Sequence, residues 1–418
     1  MKFLFVLLML LPISSAAQTA LSLDEFRREV VEYSNRMQMA INRQRVAQER
    51  RQAAHTALLP EMSLSADADY LLRDRSDYMG APLRNYNYSA AVTLSQSVWT
   101  GGEARNNYRI AQLNELIAAE EVDMEHAQVV LMAEEVYWRV AAADERLEVA
   151  HRYEQIVERL YEVVQVRYGD GYVAKNDLLM ISTRLNEARL QRLDAEQLRK
   201  TLMLQMNNMM GLDYTDYILV DTISAPVILP PLVALTTALG DRADYERASL
   251  TVRMRDNEVA LTRSRFNPHL SLGARAQLSS SLFNGAGEWD GVLFARLNIP
   301  IFAWGARKRS VAAARYATVE SEYARRAVVD EIALNLAESL TAIEHTSVQL
   351  SVATSNLSAA TENLSLSTFA YTEGRIPILD VLQSQLSWIQ AYTSYLDVHC
   401  RLKIASVEYR YAAGLLEP

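Results

Sequence analysis

Two long stretches of this sequence contain neither glycine nor proline, the residues that most often end a helix. They run from Glu103 to Tyr168 and from Ala306 to Tyr371, so they are equally long and are offset by 203 positions (306 − 103). Both stretches are rich in Ala, Glu, Arg and Leu, which favour helix formation. At 1.5 Å per residue, each would form one helix about 100 Å long. Few folds accommodate helices of this length.

The same turn motif follows each long stretch. YGDGYVAKNDLL begins at Tyr168 and YTEGRIPILDVL begins at Tyr371, again with an offset of 203 positions (371 − 168). Each motif has a glycine where a helix C-terminus favours a left-handed residue, and Pro377 in the second can open the next helix. Two helical hairpins are therefore predicted, with return helices over 172–210 and 377–413.

Apolar residues recur every seven positions on two lines along the first long helix. One line comprises Val122, Val129, Val136, Ala143, Ala150, Val157 and Val164, and the other comprises Ile110, Ile117, Met124, Leu131 and Trp138. The two lines lie roughly 140° apart around the helix. Two seams favour a helix with a neighbour on each side, as in a closed ring of helices. The core of an ordinary helical bundle would explain the same residues.

Four segments show the alternation of a strand rather than the period of a helix. They lie at about 60–72, 86–99, 268–280 and 289–302. In the first, Met62 and Leu64 have one parity while Ser63 and Ser65 have the other. Each segment is therefore predicted to form a strand with one apolar face and one polar face.

Strands of about ten alternating residues fit a tilted membrane strand whose polar face lines a water-filled lumen. Four strands cannot close a membrane barrel, and open edges are not tolerated in lipid. This interpretation requires several chains, and three chains would supply twelve strands. The alternative is a small soluble sheet packed on helices, which gives no reason for helices of such length.

The N-terminus and the overall composition restrict the function further. Lys2 precedes the apolar run Phe3–Leu11, and small residues reach Ala17, which predicts a signal peptide over 1–17. A membrane anchor is the alternative, but about nine apolar residues fall short of the roughly 20 that a spanning helix needs. Cys400 is the only cysteine, so no disulfide within the chain is possible. The net charge of −9 argues against a nucleic-acid-binding protein.

Sequence motifs of enzymes are weak in this chain. Glu148 and His151 have the E-x-x-H spacing of helical di-iron sites, and Asp123 and His126 have a related spacing nearby. Both pairs fall on one predicted straight helix, nearly 40 Å apart, so they would not converge on one metal ion. No phosphate-binding loop or nucleophile motif is present in the sequence. We therefore expect no catalytic activity, metal or cofactor.

Taken in order, these segments resemble the TolC-type outer membrane efflux proteins. The features that carry the resemblance are the twofold order of strand, strand, long helix and return helix, the LP and NP steps at Leu59-Pro60 and Asn267-Pro268, the WTGG and WG steps at Trp99–Gly102 and Trp304-Gly305, the two turn motifs, and the repeat ends MMGL and AAGL. The resemblance implies a mainly α fold with membrane β structure. Three chains would form a 12-stranded outer-membrane β-barrel, with four strands per chain, continuous with a long α-helical periplasmic barrel.

The two internal repeats would then divide the whole sequence. The predicted organisation is a signal peptide over 1–17, repeat 1 over 18–211, a linker over 212–233 and repeat 2 over 234–418. Repeat 1 would contain a helix, strands at about 60–72 and 86–99, a long helix over 103–168 and a return helix over 172–210. Repeat 2 would contain a helix, strands at about 268–280 and 289–302, a long helix over 306–371 and a return helix over 377–413.

The family resemblance implies a channel that performs no chemistry. Such a homotrimer lies in the lipid of the outer membrane, extends into the periplasm, and passively exports cargo in an efflux or type I secretion system. The implied partners are a periplasmic adaptor and an inner-membrane transporter of the RND, ABC or MFS type. The alternative function is that of a secreted structural coiled-coil protein without a pore.

The resemblance also assigns roles to residues of the two turns. Asp380 would form a ring of three carboxylates at the constriction, and Gln383 stands where some relatives carry a second aspartate. Asp177 and Tyr371 match a contact that holds the gate closed; capping of a helix is the alternative role for Asp177 and Asp380. The residues expected to meet the adaptor are Gly171, Tyr172, Val173, Ala174, Gly374, Arg375, Ile376 and Pro377.

Overall fold

The computed structural model describes residues 20–70, 72, 75–76, 82–83, 85–280 and 287–416, so the predicted signal peptide lies outside the described residues. The elements follow in the order β1 (Ala20–Leu21), α1 (Leu23–Tyr33), α2 (Asn35–Thr56), β2 (Glu61–Tyr70), β3 (Arg75–Ser76), β4 (Pro82–Leu83), β5 (Tyr86–Trp99), α3 (Glu103–Gly169), α4 (Lys175–Met210), β6 (Ile218–Leu219), α5 (Leu235–Asp241), α6 (Ala243–Ser264), β7 (His269–Ser280), β8 (Gly287–Asn298), α7 (Ala306–Thr372) and α8 (Ile378–Ala412). Helices α3 and α7 are each 67 residues long.

The described chain forms two compact units, each assembled from separate stretches of sequence. The helical unit comprises residues 20–37, 125–241 and 332–416. The sheet unit comprises the described residues of 38–124 and 242–331. Both long helices begin in the sheet unit and end in the helical unit.

The sheet unit contains a four-stranded antiparallel sheet in the order β2-β5-β7-β8, so β2 and β8 are its edges. One row across the sheet comprises Leu64, Val92, Ala276 and Gly291, and the next comprises Ser65, Ala91, Gln277 and Asp290. Residues directly opposite each other lie on the same face of a sheet. The apolar residues of the four strands therefore lie opposite one another. The sheet has one apolar face and one largely polar face.

The apolar face of this sheet is open to solvent in the single chain. Leu64, Trp289 and Leu293 are 75%, 76% and 87% exposed. A contiguous apolar surface on a soluble protein is usually covered by another element or by a partner. The described residues of this chain do not provide that cover.

A close approach at one end of the sheet joins the two repeats. Gly101 has a φ of +60°, and a Cβ there would lie 2.4 Å from the Cβ of Asn267. The side-chain amide of Asn267 donates a hydrogen bond to the Gly101 carbonyl oxygen at 2.9 Å. The WTGG motif of repeat 1 therefore packs on the NP motif of repeat 2. Position 101 requires glycine because of both its positive φ and the lack of space for a side chain.

In the helical unit, the segment between the repeats is held against two helices. The Tyr137 hydroxyl on α3 donates a hydrogen bond to the carboxylate of Asp221 at 2.9 Å. The same carboxylate accepts a hydrogen bond from the N–H of Leu23 at the start of α1, at 3.1 Å. Strands β1 and β6 pair in parallel beside this contact.

A buried carboxylate connects three helices of the same unit. Glu134 on α3 is fully buried and accepts hydrogen bonds from Arg27 on α1 and from Arg410 on α8. A charge can be buried at acceptable cost only when it is paired and hydrogen-bonded. This cluster therefore fixes α1 and α8, the first and last helices of the described residues, on α3.

On α3 the first predicted line is mostly buried, whereas every member of the second line except Trp138 is half-buried. Val157 and Val164 of the first line are fully buried, and Trp138 of the second line is 8% exposed. On α7, by contrast, Val348 and Val352 are both 65% exposed. Within the described residues, no helix combines the length and the apolar character needed to cross a lipid bilayer.

Candidate functional site at the helical tips

The first tip, between α3 and α4, is a helix C-terminus closed by glycine. The N–H of Tyr172 donates a hydrogen bond to the carbonyl oxygen of Arg167 at 2.8 Å, and the N–H of Gly171 donates to that of Tyr168 at 3.1 Å. Gly171 has a φ of +78°. These two bonds and the left-handed residue define a Schellman motif, which satisfies carbonyl groups that a helix end would leave unpaired.

The second tip, between α7 and α8, repeats this geometry. The N–H of Arg375 donates to the carbonyl oxygen of Ala370, and the N–H of Gly374 donates to that of Tyr371, both at 2.9 Å. Gly374 has a φ of +72°. Pro377 then precedes the first residue of α8. The similar motifs at Tyr168 and Tyr371 therefore adopt the same local backbone structure.

Asp177 and Asp380 occupy equivalent places in the first turns of α4 and α8. Ala174 and Pro377, the residues just before these helices, provide no side-chain capping hydrogen bond. Each carboxylate therefore lies close to the partial positive charge of a helix N-terminus that has no side-chain cap, which stabilises the helix. This helix-stabilising role applies to both aspartates whatever else they do.

The exposed side of α8 at this tip carries both residues predicted for the constriction. Asp380 and Gln383 are exposed and lie three residues apart, so they share one side of the helix. Val381 and Leu382, between them, are buried. Because Val381 and Leu382 pack into the interior of the helical unit, the side of α8 that carries Asp380 faces away from the rest of the described chain.

Tyr371 is almost fully buried and has an unusual hydroxyl group. The side chain is 4% exposed, and its oxygen makes no hydrogen bond to any described residue. Burial raises the pKa of the Tyr371 hydroxyl; the Arg167 guanidinium opposes this, and the Asp177 carboxylate adds to it. Asp177 is thus an electrostatic neighbour of Tyr371, without the hydrogen bond that a direct gate contact between these two side chains would show.

Arg167 is the contact residue at the tips that sequence reasoning missed. From the last turn of α3, its Nη1 donates to the carbonyl oxygen of Tyr371 at 3.1 Å, and its Nη2 donates to that of Thr372 at 2.7 Å. The guanidinium carbon lies 5.0 Å from the centre of the Tyr371 ring. Backbone carbonyls accept both hydrogen bonds, so no pattern of side chains in the sequence identifies them.

The residues predicted to meet an adaptor differ in how far they project. Tyr172 is 82% exposed. The other exposed members are Gly171, Ala174, Gly374, Arg375 and Pro377, whereas Val173 and Ile376 are half-buried. Apart from the adjacent residues in the chain, a Cβ added at either glycine would meet no atom of the described structure within 4 Å. The glycine positions are therefore open in space, and only the backbone angle limits what can replace them.

The E-x-x-H motif has a different role in the structure. Glu148 forms an ion pair with Arg152, one turn along the same helix. In the part of the chain that the structure describes, no group of three or more His, Cys, Asp or Glu side chains could hold a metal ion.

Comparison with protein families identifies one family. The sequence profile described as "outer membrane efflux protein" matches residues 27–212 and 234–415. The two matched stretches correspond to the two repeats, and together they cover most of the chain. A comparison with curated proteins gave no significant match.

Solved structures from several bacteria share this fold. A membrane protein from Pseudomonas aeruginosa superposes with a TM-score of 0.83 at 16% identity, over 94% of this chain and 93% of that chain. The CmeC outer membrane channel of Campylobacter jejuni gives 0.81 at 16% identity, over 94% and 86%. The open state of the MtrE outer membrane channel of Neisseria gonorrhoeae gives 0.80 at 18% identity, over 94% and 89%.

Proposed function

This chain belongs to the outer membrane efflux protein family, and from that premise we propose that it is the outer-membrane duct of a tripartite export system. The family consists of outer-membrane channels rather than enzymes, so the chain lies in the outer membrane. In the proposed system an inner-membrane transporter supplies the energy, a periplasmic adaptor connects it to the duct, and the duct itself is passive.

The apolar face of the four-stranded sheet is the observation that carries this proposal. Its strands are 10 to 14 residues long, which is enough to span the hydrocarbon layer when tilted. The face that includes Leu64 and Leu293 is open and apolar. Lipid is the natural cover for such a face, because contact with acyl chains removes the apolar side chains from water.

The edges of this sheet support an assembly of several copies. Strands β2 and β8 each have one neighbour in the sheet, which leaves a row of backbone N–H and C=O groups unpaired along each edge. Such edges are not stable in lipid. If β8 of one chain pairs with β2 of the next, three chains close a twelve-stranded barrel, and the polar faces line its lumen.

Exposed apolar side chains on the long helices also favour neighbouring copies. Leu190 and Leu193 on α4 are 61% and 49% exposed, and Val348 and Val352 on α7 are both 65% exposed. In a ring of helices from three chains, these side chains would pack on an adjacent chain. The helical parts of the trimer would then form a tunnel that extends into the periplasm.

In this assembly the tips would form the periplasmic gate. Three copies of Asp380 would surround the axis, and the exposed turns around Gly171 and Gly374 would meet the adaptor. Small-molecule efflux and type I protein secretion both fit this arrangement, because the inner-membrane transporter selects the cargo.

Two substitutions on neighbouring residues of β8 test the membrane role of the sheet. Leu293 lies on the apolar face, whereas Val292, its neighbour, lies on the opposite face. A lysine on the lipid side of a barrel costs about 2–4 kcal/mol near the middle of the bilayer. We expect Leu293→Lys to deplete the protein from the outer membrane, and Val292→Lys to remain there as a trimer resistant to mild detergent.

Conductance completes this test. The wild type and the Val292→Lys variant should form ion-conducting channels in planar lipid bilayers. Equal insertion of both lysine variants would contradict the proposed lipid-facing side. A wild-type protein that is a water-soluble monomer without conductance would contradict the function itself.

A further inference from the structure

The polar face of the four-stranded sheet carries charges of opposite sign toward its two ends. On β8, Glu288 and Asp290 lie near the start of the strand, and Asp67 of β2 shares a row with Glu288. Arg275 lies in the row next to that of Asp290 on the same face, and Arg296 follows near the end of β8, from which the chain continues to α7. All five side chains are exposed. Acidic and basic residues are therefore segregated along the strands.

An open cavity of about 460 Å³ lies at the basic end of this face. Its volume is within the range of small-ligand sites, about 300–1,000 Å³. Polar side chains from three strands and two helix ends line this basic cavity: Ser97, Glu103, Arg265, His269, Ser271 and Arg296. All of them belong to the sheet unit. Guanidinium, imidazole and hydroxyl groups can each donate hydrogen bonds to carboxylate or phosphate oxygens.

The cations of the basic cavity are only loosely paired. The Nε of Arg265 lies 3.7 Å from one oxygen of Glu103, and the Nε2 of His269 lies 3.9 Å from the other. Both distances exceed those of a hydrogen bond. Among the described residues Arg296 has no ion-pair partner, and its guanidinium carbon lies 5.8 Å from the centre of the Phe294 ring. The cavity thus holds two guanidinium groups and one imidazole for a single carboxylate.

The surroundings add no further negative charge to the cavity. Glu61, the other acidic strand residue at this end of the polar face, shares a row with Phe294 and does not line the cavity. The hydroxyl groups of Ser97 and Ser271 make no hydrogen bond to a described residue. Cations gathered in one cavity repel one another, and an entering anion relieves that repulsion. The cavity therefore has both the charge and the free donors that an anion needs.

We propose that the basic cavity binds an oxyanion, a carboxylate or phosphate group carried by a solute in transit through the duct. This inference rests on the proposed function and adds a class of cargo to it, because it requires the polar face of the sheet to line the lumen. Arg265 and Arg296 supply planar donors that fit such a group, and Ser97 and Ser271 supply hydroxyl donors. Three copies of the chain would place six guanidinium groups around the lumen at this level.

Conductance in planar bilayers of net-neutral lipid tests the cavity, with citrate as the probe in both compartments at constant ionic strength. We expect citrate to reduce the wild-type conductance as its concentration rises. Arg265→Gln and Arg296→Gln should each raise the concentration for half-maximal block about tenfold, as expected for the loss of a charge-assisted hydrogen bond. Arg296→Lys should fall between Arg296→Gln and the wild type, since it keeps the charge and loses the fork.

Arg263→Gln is the matched control. It removes the same charge from an exposed residue two positions before Arg265 that does not line the cavity, and citrate should block it like the wild type. If Arg263→Gln weakens the block as much as Arg265→Gln does, citrate responds to the general charge of the region, and the basic cavity is not its site.

Glu103→Gln tests the effect in the opposite direction. It removes the carboxylate that competes for the same cations, so citrate should block this variant at a several-fold lower concentration than the wild type. A merely structural role of these charges would not strengthen the block when an ion pair is removed. This variant also keeps the proposal testable if an arginine variant fails to assemble.

The outcomes separate the cavity from the duct. A conducting wild type that citrate does not block would overturn the anion site and leave the proposed function standing. Equal block of the wild type, Arg265→Gln and Arg296→Gln would have the same meaning. Absence of conductance in the wild type would overturn both.

Discussion

Residues related by the internal repeat have different surroundings at the two tips. Tyr371 is buried and Tyr168 is exposed, whereas Asp380 is exposed and Asp177 is half-buried. The backbone of the two turns is nearly the same, so these differences arise from the elements that pack around each turn. Two similar motifs therefore present different side chains to solvent at the two tips.

The exposure of Asp380 leads to a prediction about ion selectivity. Three carboxylates around a narrow axis would attract cations and repel anions. Asp380→Asn should therefore lower the preference of the channel for cations several-fold and alter its conductance. Reversal potentials across a salt gradient in planar bilayers measure this preference.

Asp170→Asn is the matched control for this experiment. It removes the same charge from an exposed residue of the other tip, and it should leave the selectivity unchanged. If Asp380→Asn gives the same reversal potential as the wild type, Asp380 does not lie at the constriction.

At the scale of elements, each hairpin is built from a long helix, a Schellman motif and a return helix. The return helix α8 is buried along most of its length. The turn before it is open: apart from the two neighbouring residues in the chain, no atom of the described residues lies within 4 Å of a Cβ built at Gly374. A well-packed helical hairpin with an open tip is suited to a docking contact with another protein.

Replacement of Gly374 tests whether that turn meets the adaptor. Gly374→Phe places a bulky group on the open side of the tip and should abolish export while trimers remain in the outer membrane. Gly374→Asn should retain export, because asparagine tolerates a positive φ better than other residues and is small. Export assays in cells that contain the complete system measure both variants.

The two variants also separate docking from backbone strain. A bulky residue at φ +72° strains the turn by about 1–2 kcal/mol. Normal export by Gly374→Phe would refute the docking role. Loss of export in both variants, with trimers intact, would instead show that the turn requires glycine for its conformation.

At the scale of the whole molecule, a contact within the helical unit links α1 and α8, the first and last helices of the described residues. Glu134 accepts hydrogen bonds from Arg27, near the start of the described chain, and from Arg410, near its end. The carboxylate is fully buried, while the two arginine side chains keep about a quarter of their surface exposed. The Glu134 carboxylate thus pairs with two cations, and Arg27 also forms an ion pair with Asp24 at 3.2 Å.

Removal of this carboxylate should destabilise the protein markedly. Glu134→Ala leaves two partly buried arginines without their common partner, and the loss of one partner from a buried ion pair costs about 3 kcal/mol. Its neighbour Glu135 forms only a surface pair with Arg139, so Glu135→Ala should cost about 0.5 kcal/mol. Chemical unfolding in detergent, followed by far-UV circular dichroism, measures both. Equal effects of the two variants would contradict the structural role of Glu134.

Much of the fold class could be predicted from the sequence because it depends on local patterns. Helix length followed from stretches without glycine and proline, and strand faces followed from alternation with a period of two. The mainly α fold with two repeats is confirmed by the structure and by the family match.

The sequence by itself determined the local form of each repeat, since backbone angles and side-chain periodicity depend on neighbouring residues in the chain. Only the tertiary structure decided which of two equivalent tyrosines is buried, that Arg167 binds the end of α7, and that Glu134 joins α1 to α8. These contacts join residues that are far apart in the sequence. Backbone carbonyls accept the hydrogen bonds of Arg167, and the packing of neighbouring elements buries Tyr371. Neither kind of contact leaves a recognisable pattern of side chains in the sequence.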